Sequence, residues 1–401
     1  MKLVNQQLIK NTNLKQIYTC VYQNQGISRA ALAKQTRLSK TTVSTLVDEL
    51  IAKGFILDSG TASETTNVGR KPNSLEIRTG KYYVLVLRWE PSYIDVHLTD
   101  ISGMTTPVKR LEVHPDDSYV DLSDTCVHDL IPSRIAGEKV LGICIVVPAM
   151  IDMNAEEIYT TSLQFSATDA EVIPRLKKVF SDYPVALLND TACFSYAEKI
   201  FARVNEPDFA FINFDRGIGA TLFINNVMLG RATASYTQFG HYSIDPEGKQ
   251  CACGNKGCLE LMISEDSLKE RLIKRGCTSA LKKKSSVSYG DLGQAALYGD
   301  LSAAQVIRDI ALEFSQALSN LICTVHPKTI IIGGKGHELG VLFLDEIKKN
   351  IHNSSFHRMT DSVTIRYSLL DSNSCFSGAM KYFFDIHFQF IQDYTHTFHL
   401  G

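Results

Sequence analysis

Apolar residues Leu14, Ile17, Tyr18, Val21 and Tyr22 recur at i, i+3, i+4, i+7 and i+8. That is the single stripe of an amphipathic helix, with Asn11 as a candidate cap and a stop near Gly26. Ser28 suits the cap of a second short helix running through Lys34. After Thr36-Arg37-Leu38, Ser39 suits the cap of a third, whose stripe is Val43, Leu46, Val47, Leu50 and Ile51 and whose stop is Gly54. Two short helices joined by a tight turn predict a helix-turn-helix. The outward face of the third helix carries Lys40, Thr41, Thr42, Ser44 and Thr45. These are small hydrogen-bonding groups with no acid near the helix start, which suits base edges and phosphates; a three-helix bundle with a solvated face would show the same pattern.

Phe55 to Asp58 and Leu75 to Arg78 read as short strands flanking a loop rich in Gly, Thr and Ser, the pattern of a wing. Its tip, Gly69-Arg70-Lys71-Pro72, offers a flexible entry, two adjacent cations and an extended exit, all suited to a narrow minor groove. Beyond residue 80 the pattern changes to alternating strands and helices. Tyr82 to Leu87 and Tyr93 to Leu98 read as paired strands, and Val140 to Val147 as a buried one. Phe209 to Phe214 and Ala220 to Ile224 read as a hairpin, and Ser302 to Val325 as a long helix leading into a strand at Ile330.

A chain of 401 residues is expected to divide into two or three domains. The longest apolar run, Val140 to Met150, is short of the roughly 20 residues that span a bilayer. The first residues, Met1 to Gln6, lack a signal-peptide core, so the expected compartment is the cytoplasm, with no membrane partner. The net charge of -2 conceals an asymmetry: residues 1 to 80 hold eleven basic and five acidic residues, a net of +6, which leaves -8 on the remainder. A positive head on a negative body fits a nucleic-acid reader joined to a part that does not bind nucleic acid.

Three of the ten cysteines sit together, and with His241 they make His-x9-Cys-x-Cys-x4-Cys: His241, Cys251, Cys253 and Cys258. One imidazole and three thiolates satisfy tetrahedral zinc, and Gly254 and Gly257 allow the chain to curl around one centre. All four positions are filled by protein, so the expected zinc is structural rather than a carrier of activated water. Cys20, Cys126, Cys144, Cys193, Cys277, Cys323 and Cys375 have no such spacing and read as small buried hydrophobes.

Together, the winged head with its Gly-Arg-Lys-Pro tip, Leu188-Asn189-Asp190-Thr191-Ala192, Gly217-Ile218-Gly219-Ala220, Phe239-Gly240-His241, the cysteine cluster running into Leu259-Glu260, and Ile330-Ile331-Ile332-Gly333-Gly334 resemble the ROK family. Its members include bacterial sugar-responsive repressors and sugar kinases. The resemblance covers nearly the whole chain and implies an α/β architecture: a winged helix-turn-helix over 1–80, then a two-lobed actin-like sugar-kinase fold over 81–401 that binds effector and oligomerises. It also implies a polyol site at Asn189, Asp190, position 238, His241 and Glu260. Position 238 departs from the family pattern, holding Gln where a Glu is usual. A strand-to-helix cap is an alternative role for Asn189 and Asp190 and is compatible with ligand binding.

Asp190 falls where the family's kinases carry their catalytic base. Those kinases also need Asp-x-Gly-Gly-Thr in the turn after the first strand, where amides cradle phosphates. Here the turn reads Leu87-Arg88-Trp89-Glu90-Pro91-Ser92, with no glycine, a proline that has no amide, and a bulky Trp89 expected where phosphate must approach. Gly217 and Gly219 then read as turn formers. The expectation is therefore a DNA-binding regulator, a repressor of carbohydrate metabolism genes, acting on an operator as a homodimer or tetramer under a sugar or sugar-phosphate effector. A sugar kinase with a DNA-binding head and a regulator controlled by a protein partner stand as alternatives. The aromatic stretch Tyr382, Phe383, Phe384, Phe388 and Phe390 reads mainly as lobe core.

Overall fold

The three N-terminal helices form where the caps and stripes place their last two members. The computed structural model describes residues 2–59, 74–134, 139–152, 155–159, 162–166, 171–230, 237–276, 280–353, 357–391 and 397–400. Helix α1 spans Lys2–Gln23, α2 Arg29–Thr36 and α3 Lys40–Lys53. Ser28 Oγ accepts from the Ala31 amide and Ser39 Oγ from the Thr42 amide, and Gly54 closes α3 at φ +80°. Asn11 is not a cap. Helix α1 starts nine residues earlier, and the buried Asn11 side chain instead accepts the Phe390 amide at 2.7 Å. Strands β1 (Ile56–Asp58) and β2 (Leu75–Ile77) pair antiparallel as the base of the wing, whose tip, with Arg70 and Lys71, lies outside the described residues.

Contacts divide the chain into two units. The first holds residues 1–147, 165–188 and 379–400, and the second holds 148–164 and 189–378 together with residue 401. In the first unit, β3 (Tyr83–Glu90), β4 (Tyr93–Asp100), β5 (Thr105–Glu112), β6 (Val140–Val147), β9 (Val185–Asn189) and β15 (Phe398–Leu400) form one sheet in the order β15-β9-β6-β3-β4-β5. Helices α4 (Tyr119–Arg134) and α5 (Val172–Val179) accompany it. The turn expected at 87–92 is shorter than its sequence suggests: β3 runs to Glu90, which pairs with Tyr93 across only Pro91 and Ser92. Trp89 does not face an approach to that turn. Strand alternation sends it inward, fully buried, with its ring 5.1 Å from Tyr119 and its Nε1 donating to Ser123 Oγ at 3.0 Å. The backbone of the turn still speaks against a phosphate cradle, because a two-residue hairpin of Pro91 and Ser92 has no glycine amides to offer.

The three N-terminal helices are tied into this unit from two sides. Tyr18 and Tyr22 hydroxyls donate to the Ile101 and Ser102 carbonyls, and Lys81 Nζ and the Tyr82 hydroxyl donate to the Lys53 carbonyl. On the other side lies the C-terminal segment. Helix α13 (Ser374–Tyr382) continues into a π-helical turn, Phe383–His387. Phe384, Phe388 and Phe390 then pack with Tyr18 and Phe55, at ring separations of 4.6 Å for Tyr18–Phe384 and 4.8 Å for Phe55–Phe390. Lys381 is buried against the Tyr22 ring and pairs with Asp385 at 2.5 Å, while Lys15 Nζ donates to the Asp385 carbonyl. Burial lowers the Lys15 ammonium to about 8, against the pull of Asp385. All five aromatics of the C-terminal stretch are buried in this unit.

The second unit is built on β10 (Phe209–Phe214), β11 (Ile218–Ile224), β12 (Val227–Met228), β13 (Thr329–Gly333) and β14 (Thr364–Tyr367), in the order β12-β11-β10-β13-β14. β10 and β11 form the expected hairpin, and β13 pairs parallel to β10. A separate two-stranded sheet joins β7 (Met150–Asp152) to β8 (Glu157–Tyr159). The long helix α10 (Leu301–Val325) packs Ile307, Ile310, Phe314, Leu318 and Leu321 into the core with Phe343 and Ile347 of α11 (Gly340–His352). Helices α6 (Asp190–Ile200), α7 (Leu259–Ile263), α8 (Glu265–Lys274), α9 (Tyr289–Leu297) and α12 (His357–Thr360) complete it. Of the scattered cysteines, Cys20, Cys126, Cys144, Cys193 and Cys375 are buried; Cys323 is exposed on α10, and Cys277 lies outside the described residues. Among the described residues, no helix is long and apolar enough to cross a membrane.

Candidate metal centre, ligand cluster and DNA-reading surface

His241 ends a single 3₁₀ turn, Phe239–His241, and Cys258 caps α7. Between them the chain folds back on itself, with the Cys251 amide donating to the Asn255 carbonyl and the Gly254 amide to the Cys251 carbonyl. Gly257, at φ +57°, is required here, because a Cβ would lie 1.8 Å from the Asp245 carbonyl oxygen. The result is a tight group: one ligand atom each from His241, Cys251, Cys253 and Cys258 lies within 4.8 Å of the others. Cys253 and Cys258 sulfurs are 3.6 Å apart, and His241 Nδ1 is 3.7 Å from Cys251 Sγ. A tetrahedron with metal–sulfur bonds of about 2.3 Å has edges of about 3.8 Å, so the donors are already spaced for one ion. Burial, reinforced by the hydrogen bonds that the Cys258 thiol donates to Cys253 and Cys251, pushes that thiol up to about 12. A cation is what would let three such sulfurs ionise side by side.

The residues expected to hold a polyol lie around the β10–β11 turn in the same unit. Asn189 caps α6, its Oδ1 accepting from the Ala192 amide and its Nδ2 donating to the Ala149 carbonyl. Buried Asp190 accepts from the Thr191 amide at 2.6 Å, so the capping role foreseen for this pair is occupied. Glu260, on α7, accepts the Ile218 amide at 2.8 Å. It also lies so close to Gly217 and Gly240 that a Cβ on either would be 3.1–3.2 Å from Oε2. Gly219 backs onto Thr191 in the same way, a Cβ there falling 2.5 Å from Thr191 Oγ1. Gln238 is exposed at the head of the 3₁₀ turn, and its carbonyl accepts the His241 amide. One hairpin turn thus gathers the Asn189-Asp190 cap on one side and Glu260, next to the metal cluster, on the other.

The sequence pattern did not single out Asn213. It is the one polar residue of Phe209–Phe214, it is buried, and its Nδ2 reaches toward Asp190 Oδ2 at 3.4 Å. The available signal was an amide interrupting an apolar strand. Arg29 also escaped notice. Its guanidinium donates to the Ser44 hydroxyl at 3.0 Å and pairs with Asp48. Ser44 is therefore committed inward, and the Thr42 hydroxyl lies 2.8 Å from Ser39. Lys40, Thr41 and Thr45 face solvent as expected, the Thr45 hydroxyl donating back to the Thr41 carbonyl.

A winged helix-turn-helix carried on actin-like α/β sheets defines a DNA-binding regulator on a sugar-kinase scaffold. Residues 92–385 match the ROK family model and residues 10–56 a winged helix-turn-helix DNA-binding model. The chain belongs to the ROK family, as one of its DNA-binding transcription regulators and not as an enzyme. It is similar to the xylose repressor of Bacillus spizizenii, with 26% identity over 96% of this chain and 99% of that protein. Among solved structures it is similar to a ROK family transcriptional regulator described as a homologue of the Escherichia coli MLC protein, with a TM-score of 0.79, 23% identity and coverage of 93% and 95% of the two chains. A ROK family glucokinase from Streptomyces griseus shares the fold at a TM-score of 0.58 and 19% identity, over 74% of this chain and 98% of that one.

Proposed function

We propose that this regulator represses carbohydrate metabolism genes and releases its operator when a sugar or sugar phosphate binds Asn189, Asp190, Gln238, His241 and Glu260. Residues 1–80 act as the reader and 81–401 as the effector and oligomerisation domain, working in the cytoplasm as a homodimer or tetramer. Zinc at His241, Cys251, Cys253 and Cys258 has a structural role: it fixes the His241 ring and the start of α7, and with them Glu260. Lys40, Thr41, Thr42 and Thr45 of α3 lie against DNA with the wing cations Arg70 and Lys71, while Ser44 contributes through its bond to Arg29.

The observation that carries this reading is the convergence of carboxylate and amide side chains on the β10–β11 turn beside the four-ligand cluster. Such groups bind adjacent hydroxyls in pairs. The second unit passes into the first within α13, between Gly378 and Ala379, and that helix runs directly into the segment packed on the reader. A ligand that biases the second unit then shifts the equilibrium of operator binding. Gel shift with duplex from upstream of the chain's own gene, repeated over a panel of sugars and sugar phosphates, tests the reading. Binding that one sugar class reverses is expected. Failure to bind any duplex, or ATP-dependent turnover of a sugar, would overturn it.

Two variants separate the halves of the proposal. Asp190→Asn keeps the size of the cap but removes the charged acceptor. Operator affinity should stay unchanged while the sugar concentration for release rises roughly 10- to 100-fold, as for a lost charged hydrogen bond. Arg70→Ala should weaken operator binding and lower the slope of log affinity against log salt by about 0.9. An unaltered slope removes the wing cation from the interface.

A further inference from the structure

We infer that Arg37, in the turn between α2 and α3, is a phosphate-gripping residue of the reader that the helix-face pattern did not reveal. The inference deepens the DNA-binding reading above and rests on it. Arg37 closes α2 at φ 60°, ψ 20°, the left-handed region that glycine enters freely and other residues only at a cost. Nothing in the fold demands an arginine there, because the turn needs only the backbone conformation and the side chain is exposed. A strained long cation at a reader's turn points to a use outside the folded chain.

Its neighbours sharpen the assignment. Four cations of the reader are engaged within the protein: Lys10 with Glu49, Arg29 with Asp48 and Ser44, Lys15 with the Asp385 carbonyl, and Lys53 with the Phe390 carbonyl. Lys34, Arg37 and Lys40 are exposed, and among the described residues no hydrogen bond or ion pair engages them. They recur every third residue across the end of α2, the turn and the start of α3. The acids Glu49 and Asp48, which would weaken a positive edge, are paired with Lys10 and Arg29. What results is a row of three available cations beside the first turn of the recognition helix, with Arg37 at its centre. A guanidinium there can take a phosphate by two parallel hydrogen bonds.

Arg37→Gly tests this without endangering the fold, since glycine relieves the left-handed residue. Thermal stability should hold or rise. Affinity should fall roughly tenfold, with the salt slope lower by about 0.9, and equally on the chain's own upstream duplex and on a random duplex of the same length. Arg37→Lys should recover part of the loss. Wild-type and Arg37→Gly chains binding with the same affinity and slope would overturn the assignment while leaving the regulator reading intact. A loss confined to the upstream duplex would overturn it as well, because that outcome marks a base contact. A wild-type chain that ignores both duplexes would remove the DNA-binding reading itself.

Discussion

Cys251→Ser is expected to leave the purified protein without metal and to lower its thermal midpoint by about 10 °C. The four donors share one small loop whose turns are tied by hydrogen bonds, among them Cys251 to Asn255, Gly254 to Cys251, Gly257 to Lys249 and Ile244 to Gly257, and whose side chains converge on one centre. Without an ion, the sulfurs of Cys253 and Cys258, 3.6 Å apart, and the buried Cys258 thiol have no charge to face. Removing one ligand belongs with the large mutational effects, on the order of 4 kcal/mol, and for a unit of this size each kcal/mol shifts the midpoint by about 2–4 °C. The loss should reach Glu260, two residues beyond Cys258, and so appear as weakened sugar-dependent release. Chelation of the wild-type protein should reproduce the effect, and because thiols give up protons to the metal, reloading with zinc should acidify a weakly buffered solution. Full metal occupancy in the Cys251→Ser protein would contradict the ligand assignment.

Phe390→Ala should be comparably severe, in the other unit. Phe390 is buried, edge-on to Phe55 at 4.8 Å and near Tyr18, Phe384 and Phe388, while its backbone accepts from Lys53 and donates to Asn11. Emptying such a site costs about 3–5 kcal/mol. The core of the three helices, Leu14, Ile17, Val21, Val43, Val47 and Leu50, does not depend on that ring, so helical content should be kept while operator affinity falls through a loosened reader. Differential scanning calorimetry combined with gel shift reads both effects. A midpoint within about 2 °C of wild type would mean that the C-terminal segment does not hold the reader.

The sequence is most legible where the determining interactions are local. Ser28, Ser39 and Gly54 are caps because an oxygen or a left-handed glycine satisfies groups one turn away. The metal ligands are readable because the loop that joins three of them is only eight residues long. Trp89 is misplaced by a strand that stops at Leu87; two more residues of alternation turn the indole into the core. Ser44 looks outward by periodicity alone, because helical spacing says nothing of Arg29, fifteen positions earlier.

From the chain alone came the helix-turn-helix, the wing strands, the hairpin of the second sheet and the cluster of one histidine and three cysteines, all encoded in residue spacing that a helix, a strand or a tight loop converts directly into geometry. Tertiary structure alone decided that Asn11 meets Phe390, 379 residues away, and that the π-helical C-terminal segment packs on the reader. It also decided that Asp190, Asn213 and Glu260 surround one turn. Periodicity tells each element which of its faces to bury, but not which distant face will cover it. That choice belongs to the packing of the whole unit.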